Sequence, residues 1–573
     1  MKKLLSAFTI FLITAIGYSQ PYSYQAINTQ QVRKNLGVIA SDNEGNTIIT
    51  GYFATSITFG SFTLTNNNGY DQAFVAKKLP DGSFAWAKMF TPLAITGGTS
   101  FSSIHGVCTD ATGNVYVTGR FSGKISFGGN ISLSSTKNGT TYTGDIFTLK
   151  MSPAGTVLWA KSVGTANDGC NAGESGNSVA VDNSGNVYAT GQIVFKVFKN
   201  TTICNEIVQG GPSCTNATSK SITCPYVVKY NAAGTKIWEK KYGNNGALAG
   251  TSCWSNHPRG TDIGTDGSNI YVTGYFYGNV DFGNGFLNTG SETVSNTFLI
   301  KLNESGSSIW SRSVTGSANS TYGGGGLGDD LFVDGNDLYL GGLYYGNISF
   351  GTCSLPSSSP PTFLAKYSSS GTCQWAIPLG GTSYGVVRHP NGNLAMLQRG
   401  RFYSIMELSP LDGTIIDSTV TPLEDTATGS AGGYPSLTSL PDGFIFSQMV
   451  TGTYHFGELT ITASVPLGGG WADMMLIQYT SSTPPSASKG SSTKEILRTG
   501  IVLYPNPATN QVTVKNRYSK PLGWVYIYDG SGKMIYRSLI ASSFAIIDLK
   551  NFTSGVYYMR SDQIETAIKF LKH

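Results

Sequence analysis

The stretch GNVYVTG, Gly113–Gly119, returns as GNVYATG at Gly185–Gly191, SNIYVTG at Ser268–Gly274 and NDLYLGG at Asn336–Gly342. Each copy follows a Gly/Asn/Asp turn and alternates β-branched or aromatic residues with a period of two, the pattern of a strand leaving a tight turn. That period puts Val115 and Val117 on one sheet face and Tyr116 and Thr118 on the other. The residues around it complete a larger unit: strand A, HGVCT (His105–Thr109); strand B, VYVTGRF (Val115–Phe121); strand C, IFTLKM (Ile146–Met151); strand D, VLWAKSV (Val157–Val163). The turn glycine before strand B recurs at Gly45, Gly113, Gly185, Gly267, Gly335, Gly392 and Gly443, spaced 68, 72, 82, 68, 57 and 51 residues apart. The C–D hairpin recurs with Trp86, Trp159, Trp238, Trp310 and Trp375 at one equivalent place; the sixth copy, SIMELSPLDGTIID, has an apolar residue there.

Repeats of this period predict one supersecondary unit per copy, stacked to bury a shared core. Seven units of four antiparallel strands predict an all-β chain: a seven-bladed β-propeller over residues 20–480, closed radially so that few sheet edges are exposed. The seventh copy runs YPSLTSLPDGFIFSQMV, then DMMLIQYT, and lacks a strand D. PYSYQAI, residues 21–27, is expected to supply it and close the ring. The recurring Trp is expected to pack between blades. The Asp of D-x-x-G-N could hold calcium, but a turn stabilised by its own side chain is the simpler account.

Composition agrees with turn-rich β structure outside the cytoplasm. Charged residues are only 12% of the 573, and Gly accounts for 72. Residues 1–19 combine Lys2 and Lys3 with a short apolar run and small residues Gly17 and Ser19, a secretory signal peptide cut before Gln20. That run is too short to span a membrane, so the mature chain is expected to have no transmembrane segment. Eight cysteines, from Cys108 to Cys373, suit an oxidising compartment and disulfides; with no C-x-x-C pair, a metal site is disfavoured. From Lys494 onward the chain has eleven Lys/Arg against five Asp/Glu, while everything before it has 27 against 28. The body is near neutral, so nucleic acid is not an expected partner.

The D-x-x-G-N-x-Y-x-T-G signature resembles the secreted β-propeller repeats common in Bacteroidetes-type bacteria, over roughly residues 20–480. The resemblance implies the fold and little about function. Function is therefore sought in the long B–C and D–A connections, which share one face of such a ring. Trp254, His257 and Arg259 in LAGTSCWSNHPRGTD could stack on and hydrogen-bond a sugar or peptide; the alternative is a structural loop stapled through Cys253. Tyr322, with Asp329 and Asp330 in TYGGGGLGDD, is a weaker candidate. No catalytic motif, catalytic residue or cofactor is indicated.

Residues 481–499, rich in Ser, Pro, Thr and Lys, read as a flexible linker. Residues 500–573 read as a small β-sandwich. In order they carry YPNP (Tyr504, Pro505, Asn506, Pro507), VYIYDGSGK (with Asp529, Gly532 and Lys533), IDL, SGVYY (with Gly555 and Tyr557) and a basic end (Lys569, Lys572). This block resembles the type A C-terminal sorting domain of the type IX secretion system. The resemblance implies an address tag read by the outer-membrane translocon, on a cargo released from or attached to the cell surface. The expectation is thus an exported, non-enzymatic binding protein for glycan or protein. The alternatives are a secreted carbohydrate- or peptide-degrading enzyme and a structural subunit of adhesion or gliding machinery.

Overall fold

The computed structural model describes residues 22–33, 37–95, 99–165, 174–197, 202–203, 206–207, 220–242, 258–290, 294–316, 326–357, 362–399, 403–420, 436–441, 443–450, 453–456, 459–462, 471–480, 501–504, 510–516, 521–530, 533–561 and 568–572. They fall into two compact units, Met1–Ser482 and Thr483–His573. No helix occurs among the described residues.

In the first unit, strands A to D pair in sequence order within antiparallel sheets. The sheet holding GNVYVTG consists of Phe101–Thr109, Val115–Ser122, Gly144–Met151 and Val157–Val163. Seven sets of four strands are described in this way. In the last set, Ser436–Leu440, Gly443–Val450 and Trp471–Thr480 are strands A to C, and the outermost strand is Tyr22–Arg33. Its pairing is antiparallel, with Tyr22 opposite Tyr479 and Ile27 opposite Met474. The innermost strands of the first and last sets are joined in turn: Ile39 N donates to Ser436 Oγ at 3.1 Å, and Ser41 Oγ lies 3.1 Å from Thr438 Oγ1. These sheets form a β-propeller.

The alternating pattern of strand B feeds two cores, not a core and a solvent face. Val115 and Val117 pack with Ile48, Val75 and Trp86 of the preceding sheet, whereas Tyr116 packs with Val179, Val187 and Tyr226 of the following one. Both sets are buried, because each sheet of a propeller is covered on both faces by its neighbours.

The repeated phrase can be explained residue by residue. Asp110 Oδ1 accepts from the amides of Thr112 (2.9 Å) and Asn114 (3.0 Å), and its Oδ2 accepts from Asn114 Nδ2 and the Tyr116 hydroxyl, both at 2.8 Å. Asp182 and Asp266 bond their own turns alike and accept from Tyr188 and Tyr271 at 2.9 and 2.8 Å. The Asp is thus fully engaged in closing the turn. Gly113, at φ 79°, takes the left-handed position that the turn requires. Thr118 Oγ1 donates across the sheet to Phe147 O at 2.8 Å. The closing Gly119 has no space for a Cβ, since one would collide with the Ser103 carbonyl of strand A.

The recurring Trp joins successive blades, as an indole donor should when buried at an interface. Trp86, Trp159, Trp238 and Trp310 donate Nε1 to Pro153, Ala232, Glu304 and Ser369 carbonyls in the next C–D turn, at 2.8–3.1 Å. Each ring also lies over the positive-φ glycine of that turn (Gly155, Gly234, Gly306, Gly371). Trp375 covers Gly413 likewise, but its Nε1 is buried without a partner, because the turn it meets, SPLDGT, is one residue longer. Trp310→Phe should therefore cost about 1 kcal/mol more than Trp375→Phe in urea unfolding, because only the first loses a hydrogen bond. Equal costs would contradict this account.

Among the described residues six B–C connections form small hairpins, five of them carrying x-F-G, for example Ser56–Phe59 with Phe62–Thr65 and Asn279–Asp281 with Phe286–Asn288. Their x-F-G phenylalanines Phe59, Phe127, Phe282 and Phe350 are buried against the blade, Phe282 lying 4.5 Å from Phe298 between ring centroids. The side chain of Phe456 lies outside the described residues. Cys353 and Cys373 form a disulfide with a Cα–Cα distance of 5.9 Å; Cys224 is also disulfide-bonded and Cys108 is a free thiol.

The second unit is a β-sandwich. A three-stranded sheet (Ile501–Tyr504, Gln511–Asn516, Phe544–Asp548) faces a four-stranded one (Met534–Ile540, Gly523–Asp529, Gly555–Ser561, Ile568–Lys572). Alternate residues Val512, Val514, Val525, Ile527, Ile547 and Met559 fill the space between them.

Candidate functional site at the centre of the ring

Strand A begins earlier than its HGVCT pattern suggests, at Phe101 instead of His105. The extra length contains a β-bulge that breaks the period of two. Register shifts recur at the same place in five successive inner strands, inserting His105, Asn177, Thr261, Asp329 and Gly385. An inserted residue re-aims its side chain toward the next blade. His105 Nδ1 lies 2.9 Å from Ser175 Oγ, Asn177 Nδ2 donates to Gly260 O at 2.8 Å, and Thr261 Oγ1 donates to Gly328 O at 2.6 Å.

The following position also bridges blades. Asp262 accepts from Ser178 Oγ (2.6 Å) on the preceding blade and from Leu331 N (2.7 Å) on the next. Asp330 accepts from Gly385 N at 2.7 Å. Burial raises the pKa of both carboxyls; that of Asp330 reaches about 7, with the like charges of Asp262 and Asp329 adding to the shift. Burial also holds His105 neutral, lowering it to about 4, with the Arg120 and Arg259 charges contributing.

Arg259 opens strand A of the fourth sheet, two residues after His257 in the sequence. Strand A starts, and strand B ends, on the face of the long connections, so Arg259 and its cross-strand partner Tyr275 stand at the loop-rich mouth of the ring. The guanidinium lies 5.0 Å from the Tyr275 ring centroid, and Tyr277 meets Tyr275 edge to face at 6.2 Å. On the next blade Asp329 is exposed to water while enclosed by the ring; desolvation raises its carboxyl to about 6 against the opposing charge of Arg259. The mouth thus presents a cation, two half-buried phenols and one open carboxyl, groups suited to hydroxylated or carboxylate-bearing ligands.

Of the residues read from the sequence, Arg259, Asp329 and Asp330 are placed here, while Trp254, His257 and Tyr322 lie outside the described residues. His105, Asp262, Tyr275 and Tyr277 were not singled out from the sequence. For His105 and Asp262 the only signal is the slip in alternation within strand A; Tyr275 and Tyr277 continue the alternation of strand B. In the tail, Tyr504 pairs with Thr513, Gly555 with Lys572, and Lys569 with Tyr558. Asp529 Oδ1 caps its turn by accepting from Lys533 N at 3.1 Å, and Tyr557 is buried with its hydroxyl donated to Thr553 O at 2.6 Å. Pro505, Asn506, Pro507 and Gly532 lie outside the described residues. Among the described residues no cluster of three or more His, Cys, Asp or Glu could hold a metal ion, and no helix is long and apolar enough to cross a membrane.

Residues 502–571 match the family described as Secretion system C-terminal sorting domain. An uncharacterized WD repeat-containing protein of Acanthamoeba polyphaga mimivirus is 26% identical over 398 residues, which is 59% of this chain and 27% of that protein. The chain therefore spans about a quarter of that relative's length. BamB from Moraxella catarrhalis is similar at a TM-score of 0.33 and 10% identity, covering 80% of this chain and all of the other. The WD40 β-propeller domain of Doa1 is similar at 0.37 and 8%, covering 82% and 98%. The protein is a secreted β-propeller with a type IX secretion sorting tail, addressed to the cell surface or the extracellular space.

A pH consequence follows from the inner-strand carboxyls. Because Asp330 titrates higher in the fold than the ordinary 3.8, its contribution to stability is complete below about pH 4 and is lost as pH rises through 7. His105 acts in the opposite sense: lowered in the fold, it costs stability only as pH falls below its ordinary 6.5 toward 4. Asp330→Asn keeps an acceptor for Gly385 N and removes the first effect. The Tm of this variant relative to wild type should rise by about 2–5 °C between pH 5 and pH 8, measured by differential scanning calorimetry. A difference that does not change with pH would rule out Asp330 as the titrating group.

Proposed function

We propose that this protein is a non-enzymatic binding protein, delivered through the type IX pathway after removal of residues 1–19, that engages a surface glycan or protein at the loop-rich mouth of a complete seven-bladed ring. The observation that carries this reading is Arg259 stacked over Tyr275 beside Tyr277. Aromatic faces beside a guanidinium suit sugar rings and acidic substituents. The test is a glycan array, with parallel pull-downs from intact cells, comparing wild type with Arg259→Ala and Tyr275→Ala. Each variant should weaken binding roughly tenfold. Full retention by both would exclude this mouth as the binding site.

A second reading, a secreted hydrolase, is favoured by Asp329 alone, since an open carboxyl raised to about 6 suits a general acid. The neighbouring Asp262 and Asp330 are already engaged with the backbone of the following blade. Hydrolysis of array glycans that disappears in Asp329→Asn would favour this alternative.

A further inference from the structure

We propose that the outer face of the four-stranded sheet in the sorting domain is the surface that docks the export apparatus, through a protein site carrying carboxylates beside an apolar patch. The inference rests on the reading of this domain as the sorting address.

Three motif segments of the tail converge on this sheet. The strand of VYIYDGSGK pairs with that of SGVYY, and SGVYY pairs with the basic terminal strand, Val525 opposite Ser561 and Gly555 opposite Lys572. Alternation splits the motifs in two. Val525, Ile527, Tyr557 and Met559 point into the core, while Trp524, Tyr526 and Tyr558 point outward with Arg537, Leu539 and Arg560 on flanking strands. The outward residues serve no packing need within the sandwich: Leu539 is 62% exposed, and Arg537 and Arg560 are exposed. Arg537 lies 4.1 Å from the Trp524 ring centroid and 5.7 Å from that of Tyr526, with the two rings stacked at 27°. Stacking fixes the guanidinium and leaves its edges available for carboxylates.

Charge identifies the kind of partner. The whole positive excess of the protein lies in its last eighty residues, and Tyr526 is flanked by an Arg on both sides, Arg537 and Arg560. Among the described residues the carboxylates of this unit are elsewhere: Asp529 caps the hairpin and Asp548 lies on the other sheet. An aromatic, apolar and cationic face of this kind matches an anionic protein surface with its own apolar centre.

The test is export of the full chain from a bacterium with type IX secretion, comparing wild type with Arg537→Glu, Tyr526→Ser, Ile546→Thr and a chain lacking residues 483–573. Ile546 is 59% exposed on the opposite sheet and serves as the control for surface change. Arg537→Glu and Tyr526→Ser should each lower the exported fraction roughly tenfold or more, with Ile546→Thr at wild-type level and the truncated chain retained. Thermal melts of the purified full chains check folding, and the solvent-exposed Arg537→Glu keeps the test valid if Tyr526→Ser unfolds. Normal export of both face variants, with the truncated chain retained, overturns the proposal and leaves the sorting reading intact. Export of the truncated chain overturns both. Normal export of the face variants, together with Arg537-dependent binding of the full chain to phosphatidylglycerol vesicles over phosphatidylcholine, assigns the face to an anionic lipid surface and also overturns the proposal.

Discussion

Deleting residues 22–33 should prevent the propeller from folding as a unit, or lower its Tm by about 10 °C or more. This segment is the outermost strand of the last sheet, paired along strand Trp471–Thr480. Its removal leaves that strand as an open edge, a template for pairing with another chain. It also breaks the link between the sheet built from the C-terminal part of the unit and the first sheet, which begins at Ile39 only a few residues later. The contacts that remain between the first and last sheets, the apolar cluster of Ile39, Ile49, Leu440, Ile445 and Leu476 and hydrogen bonds such as Ile39 N to Ser436 Oγ, leave the backbone groups of that edge unpaired. Calorimetry and limited proteolysis of the truncated chain provide the measurement. A Tm within about 2 °C of wild type would show that the ring does not depend on this strand.

Gly274→Ala should destabilise the protein by about 3 kcal/mol or more in urea unfolding. A Cβ there would collide with the Arg259 carbonyl and approach two atoms of the Phe298 ring to 2.8 Å. The same obstruction by a strand A carbonyl meets Gly119, Gly191 and Gly342, which is why the phrase ends in glycine each time. Relief would require strand A to move at its bulge, disturbing Arg259 and the blade-to-blade bonds of Thr261 and Asp262. Gly335→Ala is the comparison: φ is 60°, but nothing lies within 4 Å of its Cβ position. Its cost should be only the backbone strain, about 1 kcal/mol. Similar costs for the two substitutions would mean that the inner strands yield easily.

Much of the fold was legible in the sequence because each element carries a local signal. Turn chemistry at Asp110, Gly113 and Asn114 marks the start of strand B, period-two alternation marks the strand itself, and the repeated Trp marks the end of the first five units. The tail was legible for a different reason: five short motifs in fixed order identify a family without any geometry. The inner strands were the least legible part. A bulge adds one residue and cancels the alternation on which strand recognition depends, so His105 read as the first residue of a strand when it sits within one. Alternation also reports which residues share a face but not what covers that face. Tyr116 and Val117 look like an outside and an inside, yet both are buried because sheets stand on either side.

The same distinction separates what local chemistry specified from what the fold decided. Turns and strands are encoded within runs of fewer than about twenty residues, where backbone preference and side-chain period are enough, and their repetition and the sorting address are encoded in the order of such runs along the chain. The juxtaposition of Arg259 with Tyr275 and Asp329, the raised carboxyl of Asp330, and the outward row of Trp524, Tyr526 and Arg537 have no local signature. They arise from strand register and from burial between neighbouring sheets, quantities that exist only once residues distant in the chain have been brought together.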